Sequence, residues 1–495
     1  MASRSSRSPR RPAGRRRSPA AARRRALLLL VVAVAVGVLA ALALRSGDDG
    51  PPPVAGTPGP QPRLGSGADP LAYSEQRRSD LEARAARGLA HPLYAFSPGG
   101  AVASAARVAA YRPQIEAATR GTDVDPDVLE GMVLLESAGR PDAMASNDLH
   151  GAVGLTQILA GTATDLLDMR VDVAASRRLT RRIARGGPRT AAREAERRRV
   201  DERFDPAKSL RATVRYLEFA RGELSDRDDL AVASYHMGVG NLQTALGRFD
   251  EGDDIPYAEL FFGSSPLDHP RAHRFLSGLG DDSSTYLWRV RAAEGIMRLS
   301  RTDPSALSVE ATRQTAKNSA EEVLHPQSST REFATPDDLA DAEGDGDLVR
   351  LTALGANGVR VDPSVGELAP RLDEPRSRYR WLQPGALAVL RFLGAGVQQL
   401  SDAPGPLTLT SAARDDRYQR LLTARNIEAT RNYSLHTTGW AFDISRTYAS
   451  RRQALAFQFL LDRLTALDLI AWVREPGAIH VTVSRDAARF LAARP

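Results

Sequence analysis

The run Asp125-Pro126-Asp127-Val128-Leu129-Glu130-Gly131-Met132-Val133-Leu134-Leu135-Glu136-Ser137-Ala138-Gly139 decides the first half of the fold. From Pro126 onward, Val128, Leu129, Met132, Val133 and Leu135 recur at three- and four-residue spacing, the pattern of a helix with one apolar face. Glu136 falls on that stripe, seven residues after Leu129, where the pattern asks for an apolar side chain and finds a carboxyl. Gly139 and Pro141 end the helix. Apolar surroundings disfavour the ionised form, as does the negative end of the helix dipole, so both raise the pKa of this carboxyl. A carboxyl raised in this way suits a general acid that protonates a leaving oxygen near neutral pH. A lone glutamate so placed more often lies on a wet helix end, so its companions decide.

Those companions are Glu136-Ser137, then Gly154-Leu155-Thr156-Gln157, then Ala233-Ser234-Tyr235-His236-Met237-Gly238. The series resembles the soluble lytic transglycosylases, relatives of goose-type lysozyme, whose usual words are Glu-Ser, Gly-Leu-Met-Gln and Ala-Tyr-Asn-Ala-Gly. It extends to Phe204-Asp205-Pro206 before a helix and to Tyr286-Leu287-Trp288-Arg289-Val290, which looks like the family's closing helix. The resemblance covers about 105–300 and implies a mostly helical, lysozyme-like domain that needs no cofactor. It makes Glu136 catalytic and sets Ser137, Gln157 and Tyr235 against the substrate, with the Tyr235 hydroxyl orienting the acid or the sugar. Thr156 stands where the family usually has Met, and His236 replaces its asparagine.

In that family the glutamic acid protonates the bond after N-acetylmuramic acid while the 2-acetamido group stabilises the cationic centre. The carboxylate then takes a proton from the C6 hydroxyl, leaving a 1,6-anhydro sugar. The motif words contain no obvious second carboxylate, which fits this substrate-assisted route better than a two-carboxylate scheme. Sequence does not place Asp142 or Asp148 in space.

Outward from this domain, residues 168–203 interrupt the family pattern with an arginine-dense insertion, broken by Gly186-Gly187-Pro188 into two expected helices. Its readings are a solvated hairpin or a patch that attracts anionic wall polymer. Towards the N-terminus, residues 45–104 read as a Pro/Gly-rich spacer followed by a short helix over 74–90. Residues 26–44 are nineteen apolar or Gly residues without a charge, and residues 1–25 hold ten Arg and no acid. This predicts a transmembrane anchor with a basic cytoplasmic tail and an extracytoplasmic (periplasmic) bulk, a cleaved signal peptide being the alternative. Subtracting the ten tail arginines from the overall +7 leaves −3 for residues 26–495, which argues against a nucleic-acid partner. The absence of cysteine excludes disulfides and thiolate metal sites.

Polar residues over 301–376 read as a linker with a few short ordered pieces. A helix is expected over Leu387–Leu400 and a strand over Leu407–Thr410. Then come Ser411-Ala412-Ala413-Arg414, Ser434-Leu435-His436-Thr437-Thr438-Gly439-Trp440-Ala441-Phe442-Asp443-Ile444 and Ala478-Ile479-His480-Val481-Thr482-Val483. Trp440, Phe442 and Ile444 alternate with Ala441, Asp443 and Ser445, and Ile479, Val481 and Val483 with His480, Thr482 and Ser484, so Asp443 and His480 lie on the polar faces of two strands. With His436, two imidazoles, a carboxylate and an open position suit a catalytic zinc ion.

These words resemble the zinc D-Ala-D-Ala carboxypeptidase and L-alanyl-D-glutamate peptidase family over about 377–490. The resemblance implies a small α+β domain, Zn2+ held by His436, Asp443 and His480, and Arg414 meeting a substrate carboxylate. Several members place an acidic base three residues before the last histidine. Here Glu475 is five before His480 and is the nearest candidate. If it cannot reach a metal-bound water, the domain binds stem peptide without cutting it.

The combined expectation is a multidomain, membrane-anchored, peptidoglycan-degrading enzyme that cuts glycan with its first domain and cuts or binds peptides with its second. The rival expectation is a non-catalytic scaffold holding an envelope assembly to peptidoglycan.

Overall fold

The structure, a computed structural model, describes residues 69–249, 252, 254–316, 320–352, 354–402, 405–424 and 433–492. The expected tail, the membrane span at 26–44 and the spacer up to residue 68 lie outside the described residues. Among the described residues, no helix is long and apolar enough to cross a membrane.

The first half is helical. Its main elements are α1 (Arg78–Gly88), α2 (Pro126–Ser137), α3 (Val173–Ala184), α4 (Thr190–Val200), α5 (Pro206–Glu223), α6 (Asp228–Met237) and α7 (Tyr286–Thr302). The start of α2 is set by Asp125, whose side chain accepts from the Asp127 amide, and by Pro126 at the first position. It stops at Ser137 because Ala138 takes the left-handed conformation, φ 52°, and Gly139 follows at φ 75°. A Cβ at Gly139 would lie 2.9 Å from the Val108 amide nitrogen, so only glycine fits.

Leu129, Met132 and Val133 of α2 are fully buried. Each such side chain contributes roughly 1.5–3 kcal/mol relative to exposure. Helix α7 packs directly against α2, with a Cβ on Gly131 placed only 3.1 Å from the Val290 carbonyl oxygen. The arginine-dense insertion forms the two helices that its glycines predict, α3 and α4. The expected helix over 74–90 is also present, and α1 buries Leu81 and Ala85.

The second half carries strands β1 (Val349–Arg350), β2 (Val359–Val361), β3 (Trp381–Leu382), β4 (Leu407–Ser411), β5 (Ala441–Ser445), β6 (Ile470–Arg474) and β7 (Ala478–Val483). A five-stranded sheet runs in the order β2-β4-β5-β7-β6, with β2 parallel to β4 and the other pairs antiparallel. Among its helices are α8 (Ala320–Leu324), α9 (Pro384–Ser401) and α10 (Arg451–Ala466). The alternation read from sequence is present, since Phe442, Ile444, Ile479 and Val481 are all buried.

The expected linker over 301–376 is corrected by its packing. Leu307, Phe333, Leu339, Leu348, Leu354, Val365 and Leu368 are buried there, and β2 joins the sheet. Its polar residues are the capping chemistry of ordered segments. Thr335 and Asp338 form a reciprocal capping box, and Asp303 accepts from the Ala306 amide. Nor do the two halves separate, since the described residues from 69 to 492 fall in one compact unit. Arg84 of α1 pairs with Asp486 at 2.7 Å, and Arg463 of α10 donates to the Ser264 carbonyl at 2.9 Å.

Candidate active sites

Glu136 lies in the last turn of α2, half-buried. Burial pushes its carboxyl up to about 7, against the opposing hydrogen bond from Tyr286 and the charge of Arg289. The Tyr286 hydroxyl donates to Glu136 Oε1 at 2.6 Å. Tyr286 stacks on Tyr235, with centroids 6.2 Å apart, and on His236 at 5.4 Å. The wall beside the carboxyl is therefore aromatic, from the first turn of α7 and the last of α6.

Tyr235, expected to orient the acid or the sugar, makes its hydroxyl contacts with Thr156 and Thr213. Its hydroxyl donates to the Thr156 carbonyl at 2.7 Å, and the residue that touches the acid is Tyr286. Thr156, in place of the family methionine, joins a buried hydroxyl cluster with Ser209 at 2.7 Å and Thr213 at 2.9 Å. Ser137 is buried, its Oγ donating to the Val133 carbonyl. Gln157 has φ 51° and donates from Nε2 to the Gly154 and Ala143 carbonyls. Gln157 itself is half-buried.

A residue that the motifs did not reveal holds this turn. Arg203 is fully buried, paired with Asp201 at 2.9 Å, and donates to the carbonyls of Leu149, Gly151 and Ile158. A Cβ on Gly154, φ 84°, would lie 1.9 Å from the Arg203 carbonyl oxygen. Arg203 lies at the end of the arginine clusters, and nothing in composition separates a buried arginine from its exposed neighbours.

The second site is on the sheet. Asp443 of β5 and His480 of β7 face each other across the ladder, and His436 arrives from the short turn Leu435–Thr438. One ligand atom from each of the three lies within 4.8 Å of the others, a set that can hold a metal ion. His436 Nδ1 lies 2.9 Å from the Ala412 carbonyl, which sets that nitrogen as donor and leaves Nε2, 3.1 Å from Asp443 Oδ1, as the lone-pair atom. His480 Nδ1 lies 2.8 Å from the same Asp443 oxygen.

Burial, with the Arg414 charge, holds the His436 imidazole down to about 4. Burial would lower His480 too, but the Asp443 hydrogen bond and charge, with Glu321 and Glu475, carry it up to about 9. The pull of both histidines keeps Asp443 well below the usual carboxylate range despite its burial. Arg414 stands beside the set, 3.4 Å from Asp443 Oδ2, and donates to Ser411 and Gln419. Glu475 lies near enough for its charge to act on His480 and Arg414, and its backbone carbonyl accepts from Arg446. Sequence did not indicate Glu321 of α8, whose carboxylate lies 3.6 Å from His480 Nε2.

Compared with known families, residues 186–257 match the model of the Transglycosylase SLT domain. No curated protein matches the chain. The match supports lytic transglycosylase activity on peptidoglycan. It contains Phe204-Asp205-Pro206 and Tyr235, while Glu136 and Gln157 precede it.

Proposed function

We propose that this chain cleaves peptidoglycan glycan strands without water, with Glu136 as acid and then base. The observation that carries the reading is the Tyr286–Glu136 contact, because it holds a carboxyl with a pKa near 7 at the end of a buried helix. Near neutral pH such a group is about half protonated. As the bond between C1 of N-acetylmuramic acid and the leaving oxygen breaks, the Glu136 proton passes to that oxygen and the 2-acetamido oxygen stabilises C1. The Glu136 carboxylate then takes the C6 hydroxyl proton as O6 bonds to C1. The acid is restored and a 1,6-anhydro end results.

A second reading concerns the sheet. His436, Asp443 and His480 would hold Zn2+, supported by the donor set and by the carbonyl that fixes His436. When bound, the ion would act as a Lewis acid on a stem-peptide carbonyl. Arg414 would hold a peptide carboxylate, and Glu321 and Glu475 supply negative charge around His480. The anchor at 26–44 would keep both sites at the outer face of the cytoplasmic membrane.

Mass spectrometry of products from purified peptidoglycan, digested by the full chain with zinc or with chelator, tests both readings. Anhydro-muropeptides are expected in both samples and peptide products only with zinc. Wall binding with no products would instead favour the scaffold.

A further inference from the structure

Arg463 of α10 is a buried charge that neither catalytic reading uses. It is 6% exposed, and burial lowers its guanidinium to about 10. Its Nη2 donates to the Ser264 carbonyl at 2.9 Å, while among the described residues its Nη1 has no hydrogen-bond partner and no carboxylate pairs with it. A guanidinium carries five donors, and its charge is costly to bury unpaired. The protein's own groups leave this one unsatisfied.

Arg463 lines a cavity of about 260 Å³ at the seam of the two halves, with Phe249 and Phe262 from the first half and Phe459 from the second. Its guanidinium carbon stands 5.2 Å from the centre of the Phe262 ring and 5.4 Å from that of Phe459, so the charged head lies among the aromatic walls. Three carboxylates, those of Asp69, Glu259 and Asp268, line the same space. Burial raises the Asp69 carboxyl; the Leu71 amide and the Arg463 charge oppose that rise, and the Asp268 charge adds to it. Asp69 therefore feels both the buried cation and a second acid.

These groups disfavour a simple ion. An anion on Arg463 would face three acids, and a cation among the acids would face the guanidinium. A molecule that carries an ammonium and a carboxylate on one carbon meets both, and the aromatic walls suit an apolar side chain. At roughly 30 Å³ per water the cavity holds about nine water-sized groups, and leucine has nine non-hydrogen atoms. We infer that this cavity binds a free α-amino acid with an apolar side chain, its carboxylate on Arg463, its ammonium on Asp69 and Asp268, and its side chain against Phe249, Phe262 and Phe459. The cavity shares no lining residue with Glu136 or with the His436, Asp443 and His480 set, and the inference depends on neither catalytic reading. Because the walls come from both halves, the occupant ties α10 to the helix Tyr257–Gly263.

The test is equilibrium dialysis of the full chain against labelled racemic leucine, so that chirality does not decide the outcome. Isocaproate, which lacks the ammonium, and isoamylamine, which lacks the carboxylate, serve as competitors. Leucine is expected to bind with a Kd below about 1 mM. Each competitor should displace it at least about tenfold less well than unlabelled leucine does. Asp69→Asn keeps an acceptor for the Leu71 amide and removes the charge, and should weaken leucine binding about tenfold. Arg463→Met should abolish it.

Thermal melting without ligand checks the fold of each variant, and Asp69→Asn with Asp268→Asn carries the test if Arg463→Met fails to fold. Leucine should also raise the melting temperature of the parent and leave that of a folded Arg463→Met unchanged. No binding of leucine by the folded parent would overturn the inference. Isocaproate or isoamylamine competing as well as leucine would do so too, by showing a site for a plain anion or a plain cation. Undiminished leucine binding in the folded variants would place the ligand elsewhere on the chain and equally overturn it. Dialysis needs no cleavage, so inactive Glu136 and zinc sites would leave this result standing.

Discussion

The hydroxyl of Tyr286 donates to Oε1 of Glu136 at 2.6 Å, joining the first turn of one helix to the last turn of another. The bond lowers the Glu136 pKa while burial raises it, so the carboxyl titrates at the balance of the two. Tyr286→Phe removes the lowering contribution and leaves burial. The alkaline limb of the pH–rate profile should move to higher pH, and the rate at the optimum should fall about tenfold as the acid loses its orientation. A rate loss with no movement of that limb would contradict this role.

The same carboxyl ties stability to pH. Its folded pKa, about 7, is above its ordinary 4.5, so between those values the folded chain holds a proton that the unfolded chain has lost. Stability from this group is therefore fully present below about 4.5 and lost as pH rises through 7. Glu136→Gln keeps an acceptor for Tyr286 and cannot ionise. Its melting temperature should exceed that of the parent by roughly 2–4 °C at pH 8.5 and by little at pH 4. Equal melting at both pH values would show that Glu136 is not desolvated.

Arg203→Met leaves Asp201 as a buried, uncompensated charge and strands the carbonyls of Leu149 and Gly151. Breaking such a pair costs about 3–5 kcal/mol. Denaturant unfolding should show a loss of that size, whereas a loss below about 1 kcal/mol would mean that the pair does not hold the Gly154 turn.

At the sheet site, His480→Ala should abolish zinc binding. Glu321→Gln should weaken it about 10–100-fold, because a carboxylate beside a ligating imidazole fixes its orientation. Competition with a chromophoric chelator measures both without any peptidase assay. Unchanged affinity in Glu321→Gln would reduce that residue to a packing role.

These residues differ in how far the sequence discloses them. Glu136 was legible because a carboxyl interrupting an apolar stripe is a local contradiction that periodicity exposes. His436, Asp443 and His480 were legible because strand alternation placed two of them on polar faces, and the ladder pairs them directly. Tyr286 was read only as part of a helix, since no local pattern says that its hydroxyl meets a carboxyl 150 residues away. Glu321 was hidden in a stretch whose polar composition reads as linker. The packing of Phe333 and Leu339 orders that stretch, and these apolar residues are too sparse to show a period. The joining of the two halves through Arg84 and Arg463 was likewise invisible, because an arginine that reaches a carboxylate or carbonyl across an interface looks the same in sequence as a solvated one.

The central claim is that Glu136 drives an internal displacement by O6 and not hydrolysis. Digestion of purified peptidoglycan by the full chain in 18O-labelled water, with the new glycan ends read by mass spectrometry, tests it most directly. The expected products are 1,6-anhydro ends free of label, absent from the Glu136→Gln digest. Reducing ends carrying 18O, or anhydro ends that persist in Glu136→Gln, would contradict it.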